Sequence, residues 1–291
     1  MEHISFIILH YLSYEDTKSC VNSILQNIAY ENYSIVVVDN NSPNDSLKLL
    51  QKKYENNSKI IFLKNSENSG FAKGNNIGYS YAKNTLCAKY MVIANNDTIF
   101  KQPDFLKEVV SIFKENEYYI LGPDIITLDG IHQNPYRDKI IELSTAKKWL
   151  RNRRLWTIFL WLEKKLKFYF LSSLVHKLFY NRNIKNNADK QYEKTHTNIV
   201  LQGACIIFSP HYVQKMDYAF YPETYMYCEE DILCYQCQKK HWSILYSPTL
   251  YVYHTECGST KTLYRKNIDK ELFQSKNIVK SLKVLIKIMR K

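Results

Sequence analysis

Residues 35–42 read IVVVDNNS, and this stretch decides the fold. Four consecutive β-branched apolar residues predict a strand that is buried on both faces, as in the parallel sheets of α/β proteins. The polar run that follows, residues 39–45, consists of turn and cap formers and predicts an abrupt end to the strand. Leu47, Leu49 and Leu50 then indicate a helix. The stretch therefore predicts one strand–turn–helix unit of a layered α/β domain.

The same alternation extends outward on both sides of this unit. Further strands are predicted at 4–9, 60–63 and 90–94. One further helix is predicted to begin near Ser13 and another to cover residues 71–82. Repeated units of this length predict a Rossmann-like, mostly parallel central sheet with helices on both faces. A second ordered region has a strand-like segment at 199–208, a helix-like segment at 230–240 and short strands at 243–246 and 250–253. Residues 272–289 predict an amphipathic C-terminal helix.

Polar clusters follow three of these strands, at His10-Tyr11, residues 39–41 and residues 95–97. Each alone is typical of an ordinary turn. The carboxyl ends of parallel strands lie at one edge of the sheet, where such folds bind their ligands. Three clusters in that position favour a shared site.

Three groups of side chains could carry chemistry in such a site. Asp97, in an amide-rich turn, suits a hard divalent cation that takes its other ligands from water and substrate phosphates. The adjacent acids of residues 229–231 follow aromatic residues, and burial there would raise a carboxyl pKa toward that of a useful base; a helix start rich in acids is the alternative. His254, before a glycine turn, could reach a metal or a phosphate, although a lone histidine is more often structural.

In this order, the motifs resemble those of the family 2 inverting glycosyltransferases of the GT-A fold, and most closely the bacterial rhamnosyltransferase-like branch. The matching stretches are residues 37–42, 68–78, 95–98, 203–205, 227–234 and 254–259. The resemblance implies a GT-A domain in two halves, 1–130 for the nucleotide sugar and 199–262 for the acceptor and catalysis. A basic aromatic insertion at 131–198 and a C-terminal helical segment at 263–291 lie outside it.

The resemblance also implies roles for individual residues. Mg²⁺ or Mn²⁺ would be held by Asp97, with Asn95 in place of the family's first aspartate, and His254 would close over the metal or the diphosphate. The nucleotide sugar would contact Leu9, His10, Tyr11, Asp39, Asn41, Asn68, Lys73, Asn76, Asn95 and Asn96. A carboxylate would deprotonate the acceptor hydroxyl, which displaces the diphosphate of a UDP- or dTDP-linked sugar with inversion.

The identity of that base is open between two residues. The common family pattern is Glu-Asp-x-Asp-Leu, whereas this chain reads EEDIL at 229–233. Alignment through Leu233 assigns the base to Glu230, and alignment through the Glu-Asp pair assigns it to Asp231. We favour Asp231, with Glu230 as the alternative.

Charge and composition indicate where the enzyme works. The net charge is +12, and residues 137–185 carry thirteen Lys/Arg against three acids. Because the acceptors of this family are often lipid-linked, we expect a cytoplasmic protein that is peripheral at the anionic inner face of the plasma membrane. The aromatic residues expected to insert are Trp149, Trp156, Phe159 and Trp161, and a core or homo-oligomer contact is the alternative. No apolar run predicts a transmembrane helix, and the seven cysteines predict free thiols.

Two other functions compete with this interpretation. A nucleotidyltransferase would share the fold and the metal carboxylate, but it would need a glycine-rich loop after the first strand, and residues 9–13 contain no glycine. A non-catalytic protein that binds membranes or nucleic acid would explain the basic segment and leave the acidic motif without a role. We therefore expect a transferase that acts on a saccharide or lipid-linked saccharide and does not bind nucleic acid.

Overall fold

The computed structural model describes residues 1–166, 191–256 and 267–290. Its strands are β1 (Ile4–His10), β2 (Tyr33–Asp39), β3 (Ile60–Lys64), β4 (Tyr90–Asn95), β5 (Thr98–Ile99), β6 (Ile120–Thr127), β7 (His196–Thr197), β8 (Cys205–Phe208) and β9 (Ile244–His254). Its α-helices are α1 (Tyr14–Asn27), α2 (Ser46–Lys53), α3 (Gly70–Asn84), α4 (Phe105–Asn116), α5 (Leu143–Leu166), α6 (Pro210–Lys215), α7 (Glu229–Lys239) and α8 (Asn267–Met289). Parts of the predicted insertion and of the motif after His254 lie outside the described residues.

The strands form one sheet in the order β3-β2-β1-β4-β8-β6-β9-β5, and β7 pairs with β9. Strands β3, β2, β1 and β4 are parallel, β8 is antiparallel to both neighbours, and β6 and β9 are again parallel. This arrangement confirms the predicted α/β fold. The two short strands predicted at 243–246 and 250–253 are in fact one strand, β9, whose register with β6 shifts between Pro123 and Asp124.

Alternate residues of the central strands pack on opposite faces of the sheet. On β1, Phe6 and Ile8 belong to a core that includes α1 and α4, whereas Ile7 belongs to a second core that includes α3, α6 and α7. Both cores exclude water, and each fully buried aliphatic side chain stabilises the fold by about 1.5–3 kcal/mol. This two-sided burial explains why the strands are apolar at consecutive positions.

Helix α3 lies unusually close to the sheet because of Gly78. A Cβ at that position would lie 2.6 Å from Ile7 Cγ2 and 2.8 Å from Val38 Cγ2. The close approach brings the start of α3 to the carboxyl ends of β1 and β2, where the polar clusters lie.

Helices α5 and α8 pack against each other and against α7, beside the sheet. Their shared core includes Ala146 of α5, Ile232 of α7 and Leu285 of α8. Segments predicted as a separate insertion and a separate tail therefore meet in one layer next to the acidic motif. Within the described residues, no helix combines the length and the continuous apolar character that crossing a bilayer requires.

Candidate active site

One cavity of about 1270 Å³ lies at the carboxyl edge of β1 and β4, between the sheet and the α5–α8 layer. Its wall on the sheet side includes the following residues: Leu9, Tyr11, Asn40, Asn68, Asn95, Asn96 and Asp97. Its floor includes Gly203, Glu229, Glu230 and Asp231, and its outer wall comes from α5 and α8. A volume of this size accommodates two substrates side by side.

Asp97 and His254 meet in this structure although 157 positions separate them in the chain. Thr98 of β5 pairs with His254 of β9, and the Thr255 N–H donates to the Asp97 carbonyl oxygen at 3.0 Å. These contacts place His254 Nε2 at 3.2 Å from Asp97 Oδ1, with both side chains largely buried. A strand pairing therefore brings the two predicted metal ligands together.

Gln133 orients the His254 ring and has no counterpart among the sequence predictions. Its amide nitrogen donates to Glu256 Oε1 at 2.7 Å, which leaves its amide oxygen facing His254 Nδ1 at 2.8 Å. An amide oxygen only accepts, so Nδ1 carries the proton. In the neutral ring Nε2 then carries a lone pair directed toward Asp97. A histidine that binds a metal usually has this arrangement, with its other ring nitrogen donating to a supporting acceptor.

The Asp97–His254 pair fits a divalent cation that also binds substrate. In the part of the chain that the structure describes, no group of three or more His, Cys, Asp or Glu side chains converges to form a complete protein cage. Two protein ligands suit Mg²⁺ or Mn²⁺, which take their remaining ligands from phosphate oxygens and water.

The other predicted donor ligands separate into two groups. Leu9, Tyr11, Asn68, Asn95 and Asn96 line the cavity. The remaining ones lie outside the cavity lining: His10, Asp39, Asn41, Lys73 and Asn76. The role of both groups as donor ligands stays a prediction.

His10 and Asp39 are fully buried behind the cavity wall. His10 bonds to the hydroxyls of Thr17 at 2.7 Å and Ser46 at 2.8 Å. Burial lowers its pKa to about 4, against the opposing effect of Asp39, so the ring is neutral near pH 7. The Asp39 carboxylate accepts the Ser42 N–H at 3.2 Å and closes the turn after β2. Both residues thus stabilise the carboxyl edge of the sheet from buried positions outside the cavity lining.

Asn41, Lys73 and Asn76 have contacts of other kinds. Asn41 and Lys73 are exposed, and Lys73 and Asn76 line a second, shallower hollow beside α3. The Asn76 amide donates to the Phe220 carbonyl at 2.7 Å and accepts the backbone N–H groups of Ala219 and Phe220. It therefore joins α3 to the chain before the acidic motif.

Asn40, which was predicted only as a member of the polar cluster 39–41, organises the loop before α3. Its amide nitrogen donates to Asn68 Oδ1 at 2.9 Å, and its amide oxygen accepts the Ser69 N–H at 3.1 Å. The buried residue thereby positions Asn68 in the cavity wall. The only sequence signal for it was its place inside the Asp-Asn-Asn run.

The three acids of the 229–231 motif have different surroundings at the start of α7. Glu229 is buried, and burial, with the Glu230 charge as a further cause, raises its pKa to about 8. Burial also raises the pKa of Glu230 to about 7, although a hydrogen bond from the Gly203 backbone opposes the shift. Asp231 forms an ion pair with Arg137, and burial nevertheless raises its pKa.

Arg137 was not predicted as a site residue, although it lies at the boundary of the basic segment. Its backbone bonds reciprocally with Val200, which brings it next to the floor of the cavity. The guanidinium engages the Asp231 carboxylate through Nη2, whereas Nη1 is buried with no hydrogen-bond partner among the described residues. Arg137 thus neutralises Asp231, and its charge also opposes the rise that burial causes in the pKa of Glu230.

The outer wall of the cavity is aromatic, apolar and basic. Helix α5 contributes Trp149, Asn152, Arg153 and Trp156, and α8 contributes Phe273, Gln274, Ile278 and Leu282. No acidic side chain occurs in these two sets. The aromatic faces suit the apolar faces of sugar rings, and Arg153 suits an anionic group.

A family profile for glycosyl transferase family 2 matches residues 5–216, nearly three quarters of the chain. The chain belongs to glycosyl transferase family 2. The matched span contains the turn at Asp97 and ends before the acidic motif at 229–231. The family assignment agrees with the fold and with the resemblance found in the sequence.

One sequence relative is the low-salt glycan biosynthesis hexosyltransferase Agl10 of Haloferax volcanii, which is 28% identical over 134 residues. The alignment covers 46% of this chain and 40% of the relative. This family 2 chain therefore spans less than half the length of the curated relative that it matches.

Solved structures with the same fold include two that contain a uridine nucleotide. S. aureus TarS (residues 1–349) in complex with UDP-GlcNAc superposes with a TM-score of 0.56 at 14% identity and covers 95% of this chain and 65% of that one. GalNAc-T7 with UDP, GalNAc and Mn²⁺ superposes with a TM-score of 0.57 at 12% identity and covers 88% and 44% of the two chains. At these identities the likeness establishes the GT-A fold alone.

Proposed function

We propose that this family 2 protein is an inverting glycosyltransferase that moves a sugar from a nucleotide diphosphate to a saccharide hydroxyl. The observation that carries the proposal is one cavity with Asp97, whose carboxylate lies 3.2 Å from His254 Nε2, on its sheet side and a carboxyl of near-neutral pKa, Glu230, on its floor. A displacement at the anomeric carbon needs a stabilised leaving group on one face and a base on the other.

Glu230 is the base that the geometry favours, and Asp231 is the alternative. A base near pH 7 is most effective when its own pKa lies close to the working pH, and burial gives Glu230 that pKa. Asp231 is occupied by Arg137. Glu230 would take the proton of the acceptor hydroxyl as that oxygen bonds to the anomeric carbon. The bond from that carbon to the diphosphate oxygen breaks, and the electron pair leaves on the diphosphate.

Asp97 and His254 would hold Mg²⁺ or Mn²⁺. The bound cation would neutralise the negative charge that develops on the diphosphate leaving group. Gln133 would keep His254 in the tautomer that offers Nε2.

The donor is proposed to be a UDP- or dTDP-linked sugar held along the sheet side of the cavity. Tyr11 and Asn68 are there, and Asp39 supports the edge from behind. The structures of TarS with UDP-GlcNAc and of GalNAc-T7 with UDP share this fold, which supports a uridine nucleotide as the first candidate. We place the reaction in bacterial surface polysaccharide synthesis, as the resemblance to the rhamnosyltransferase-like branch implies.

We further propose that α5 attaches the enzyme to the inner face of the plasma membrane. The side chains proposed to insert differ from the four aromatic residues expected from the sequence. Trp149 and Trp156 line the cavity, and Phe159 stacks on Trp156 at 5.2 Å between ring centroids. Trp149 and Trp161 nevertheless remain 41% and 48% exposed. Helix α5 also has an exposed aliphatic stripe, which consists of Leu155 (62% exposed), Ile158 (55%), Leu162 (43%) and Leu166 (60%).

These four residues recur at helical spacing on the face of α5 opposite α8. Exposed Lys148, Arg151 and Lys165 flank them. An apolar stripe bordered by cations suits an anionic bilayer, because each nearby cation adds about 1 kcal/mol of binding.

The amide variants Glu230→Gln and Asp231→Asn test the proposed function. The donor is first identified by the rise in melting temperature that nucleotide sugars cause in Mn²⁺. Glu230→Gln should then lower kcat by about a hundredfold or more with donor affinity unchanged. Asp231→Asn tests the alternative base in the same assay, and NMR of the product should show an inverted anomeric centre. Normal turnover in both variants, or a retained configuration, contradicts the mechanism.

A further inference from the structure

Asp124 and His132 form a hydrogen-bonded pair that the proposed mechanism does not use. Asp124 is buried on β6, and its Oδ2 atom lies 2.7 Å from His132 Nδ1. A carboxylate only accepts hydrogen bonds, so Nδ1 of the histidine is the donor. The His132 ring also stacks on Tyr192 with 3.6 Å between ring centroids, and the carbonyl oxygen of Tyr192 accepts the hydroxyl hydrogen of Tyr246 at 2.6 Å. The imidazole is therefore fixed at one nitrogen and on one face.

The surroundings of Asp124 indicate a positional role for its carboxylate. The Oδ1 atom is buried with no hydrogen-bond partner among the described residues, and an unsatisfied buried carboxylate oxygen destabilises a fold. The strand is also irregular at this point, because Pro123 pairs with Ser247 of β9 whereas Asp124 pairs with Tyr251. Such bulges re-aim side chains and are frequent next to active sites. Stability alone therefore does not account for a carboxylate at this position.

His132 lies on the segment that also carries Gln133. This segment returns antiparallel to the end of β6, and the Gln133 N–H donates to the Ile125 carbonyl oxygen at 2.8 Å. Neighbouring side chains of an extended chain point to opposite faces. His132 is directed to the face that carries Asp124, and Gln133 to the other face, where its amide oxygen lies 2.8 Å from His254 Nδ1. A bond that fixes His132 therefore also fixes the direction of Gln133.

We infer that Asp124, acting through His132, is a positioning residue that aims the Gln133 amide at His254. The carboxylate holds the imidazole on one face of the returning segment, and the alternation of side chains directs the next residue to the opposite face. The consequence for catalysis rests on the proposed function, because His254 is one of the two proposed metal ligands. The positioning itself is a property of the protein without metal, so it can be measured separately.

NMR of the full chain, labelled with nitrogen-15 in its histidine rings and kept in EDTA, tests the positioning. The His254 Nδ1–H is hydrogen-bonded to Gln133, so it should exchange slowly with water and give a ring N–H signal, which His254→Gln identifies by removing it. His132→Phe keeps an aromatic ring against Tyr192 and loses the bond to Asp124. This variant should lose the signal, and Asp124→Ala, which removes the same bond from its other end, should lose it too. A wild type without the signal, or a signal that persists in both variants, overturns the inference.

Two control variants separate positioning from a general loss of stability. Asp124→Asn keeps an oxygen that can accept the hydrogen of His132, so the His254 signal should remain. Ile125→Val removes one buried carbon from the neighbouring position, whose side chain packs in the core on the opposite face. It should lower the melting temperature and keep the signal, because the bond to His132 is intact. Loss of the signal in either control overturns the inference. Thermal melting checks that each variant is folded, and one folded variant without the bond is sufficient for the test.

Binding of Mn²⁺ alone, followed by electron paramagnetic resonance, tests the consequence for the metal. Loss of a group that orients a metal ligand weakens metal affinity by about ten- to hundredfold, and His132→Phe should weaken it by about tenfold, the low end of that range. In a Gln133→Leu background the same substitution should cause no further loss, because His132 acts through Gln133. Additive losses would show that His132 acts by another route and would overturn the inference.

Failure of this inference is distinct from failure of the proposed function. A His254 signal that depends on His132, in a wild type that binds no Mn²⁺, refutes the metal site of the transferase and leaves the positioning role of Asp124 standing. Normal Mn²⁺ binding together with a His254 signal that is independent of His132 overturns the positioning role and leaves the transferase standing.

Discussion

Gly203 contacts the proposed base so closely that one added methyl group should displace it. A Cβ at Gly203 would lie 2.3 Å from Glu230 Oε1, 3.1 Å from Cδ and 3.4 Å from Cγ. An ordinary carbon contact is about 3.5 Å, so the carboxylate in Gly203→Ala must move by about 1 Å. The backbone hydrogen bond from Gly203 to this carboxylate is distorted by the same movement.

The expected losses differ sharply between catalysis and stability. A displacement of about 1 Å in a catalytic group costs about a hundredfold in rate, which corresponds to about 2.7 kcal/mol in the barrier. The atoms that must move are the far end of one side chain. The free energy of unfolding should therefore fall by about 1 kcal/mol or less, the low end of overpacking costs.

Steady-state kinetics and thermal melting of Gly203→Ala test both numbers. We expect kcat to fall about a hundredfold, with an unchanged melting shift from the donor in Mn²⁺. Gly203→Ala combined with Glu230→Asp is the rescue variant, because the shorter acid makes room for the methyl group. The loss of kcat in this double variant should be smaller than the losses of the two single variants combined. Wild-type kcat in Gly203→Ala, or strictly additive losses, would refute the assignment of Glu230 as the positioned base.

Four other outcomes follow from the structure. Gln133→Leu should weaken Mn²⁺-dependent nucleotide binding about tenfold or more and leave metal-free binding unchanged. If the variant and the wild type bind the nucleotide equally well in Mn²⁺, Gln133 has no role in orienting the histidine. Because Glu230 must be ionised to act and burial raises its pKa to about 7, kcat should rise with pH through that value, and a flat profile from pH 6 to 8, roughly one unit either side, contradicts this. The folded-state pKa of Glu229 is raised from 4.5 to about 8, so its contribution to stability is present below the lower value and lost as pH rises through the higher one. In chemical denaturation Glu229→Gln should be relatively more stable at pH 9 than at pH 4, and the opposite trend would show that the carboxylate is stabilising. Ile158→Glu with Leu162→Glu should abolish flotation on anionic vesicles at low salt while the cavity still binds donor, and undiminished flotation would exclude the stripe.

The strands and the position of the Asp97 turn could be predicted from the sequence because their determinants are local. A strand buried on both faces must be apolar at successive positions, so residues 35–38 identified β2 without any knowledge of its neighbours. Asp97 follows a buried strand in a turn of amides, and the carboxyl ends of parallel strands share an edge, so its place in the site also followed. Two short strands were predicted where β9 is one, because Pro248 interrupts the apolar pattern while β6 continues to pair beyond it.

Only the tertiary structure decided which distant side chains meet. The contacts of Asp97 with His254, of Glu230 with Gly203 and of Asp231 with Arg137 each join different elements, and no local pattern encodes a pairing between them. Burial, on which our proposal of Glu230 rather than Asp231 as the base rests, is likewise a property of the packed chain. The faces of α5 were ambiguous for a related reason: the helix is apolar on several sides, so periodicity could not distinguish the side that packs on α8, the side that lines the cavity and the side left exposed.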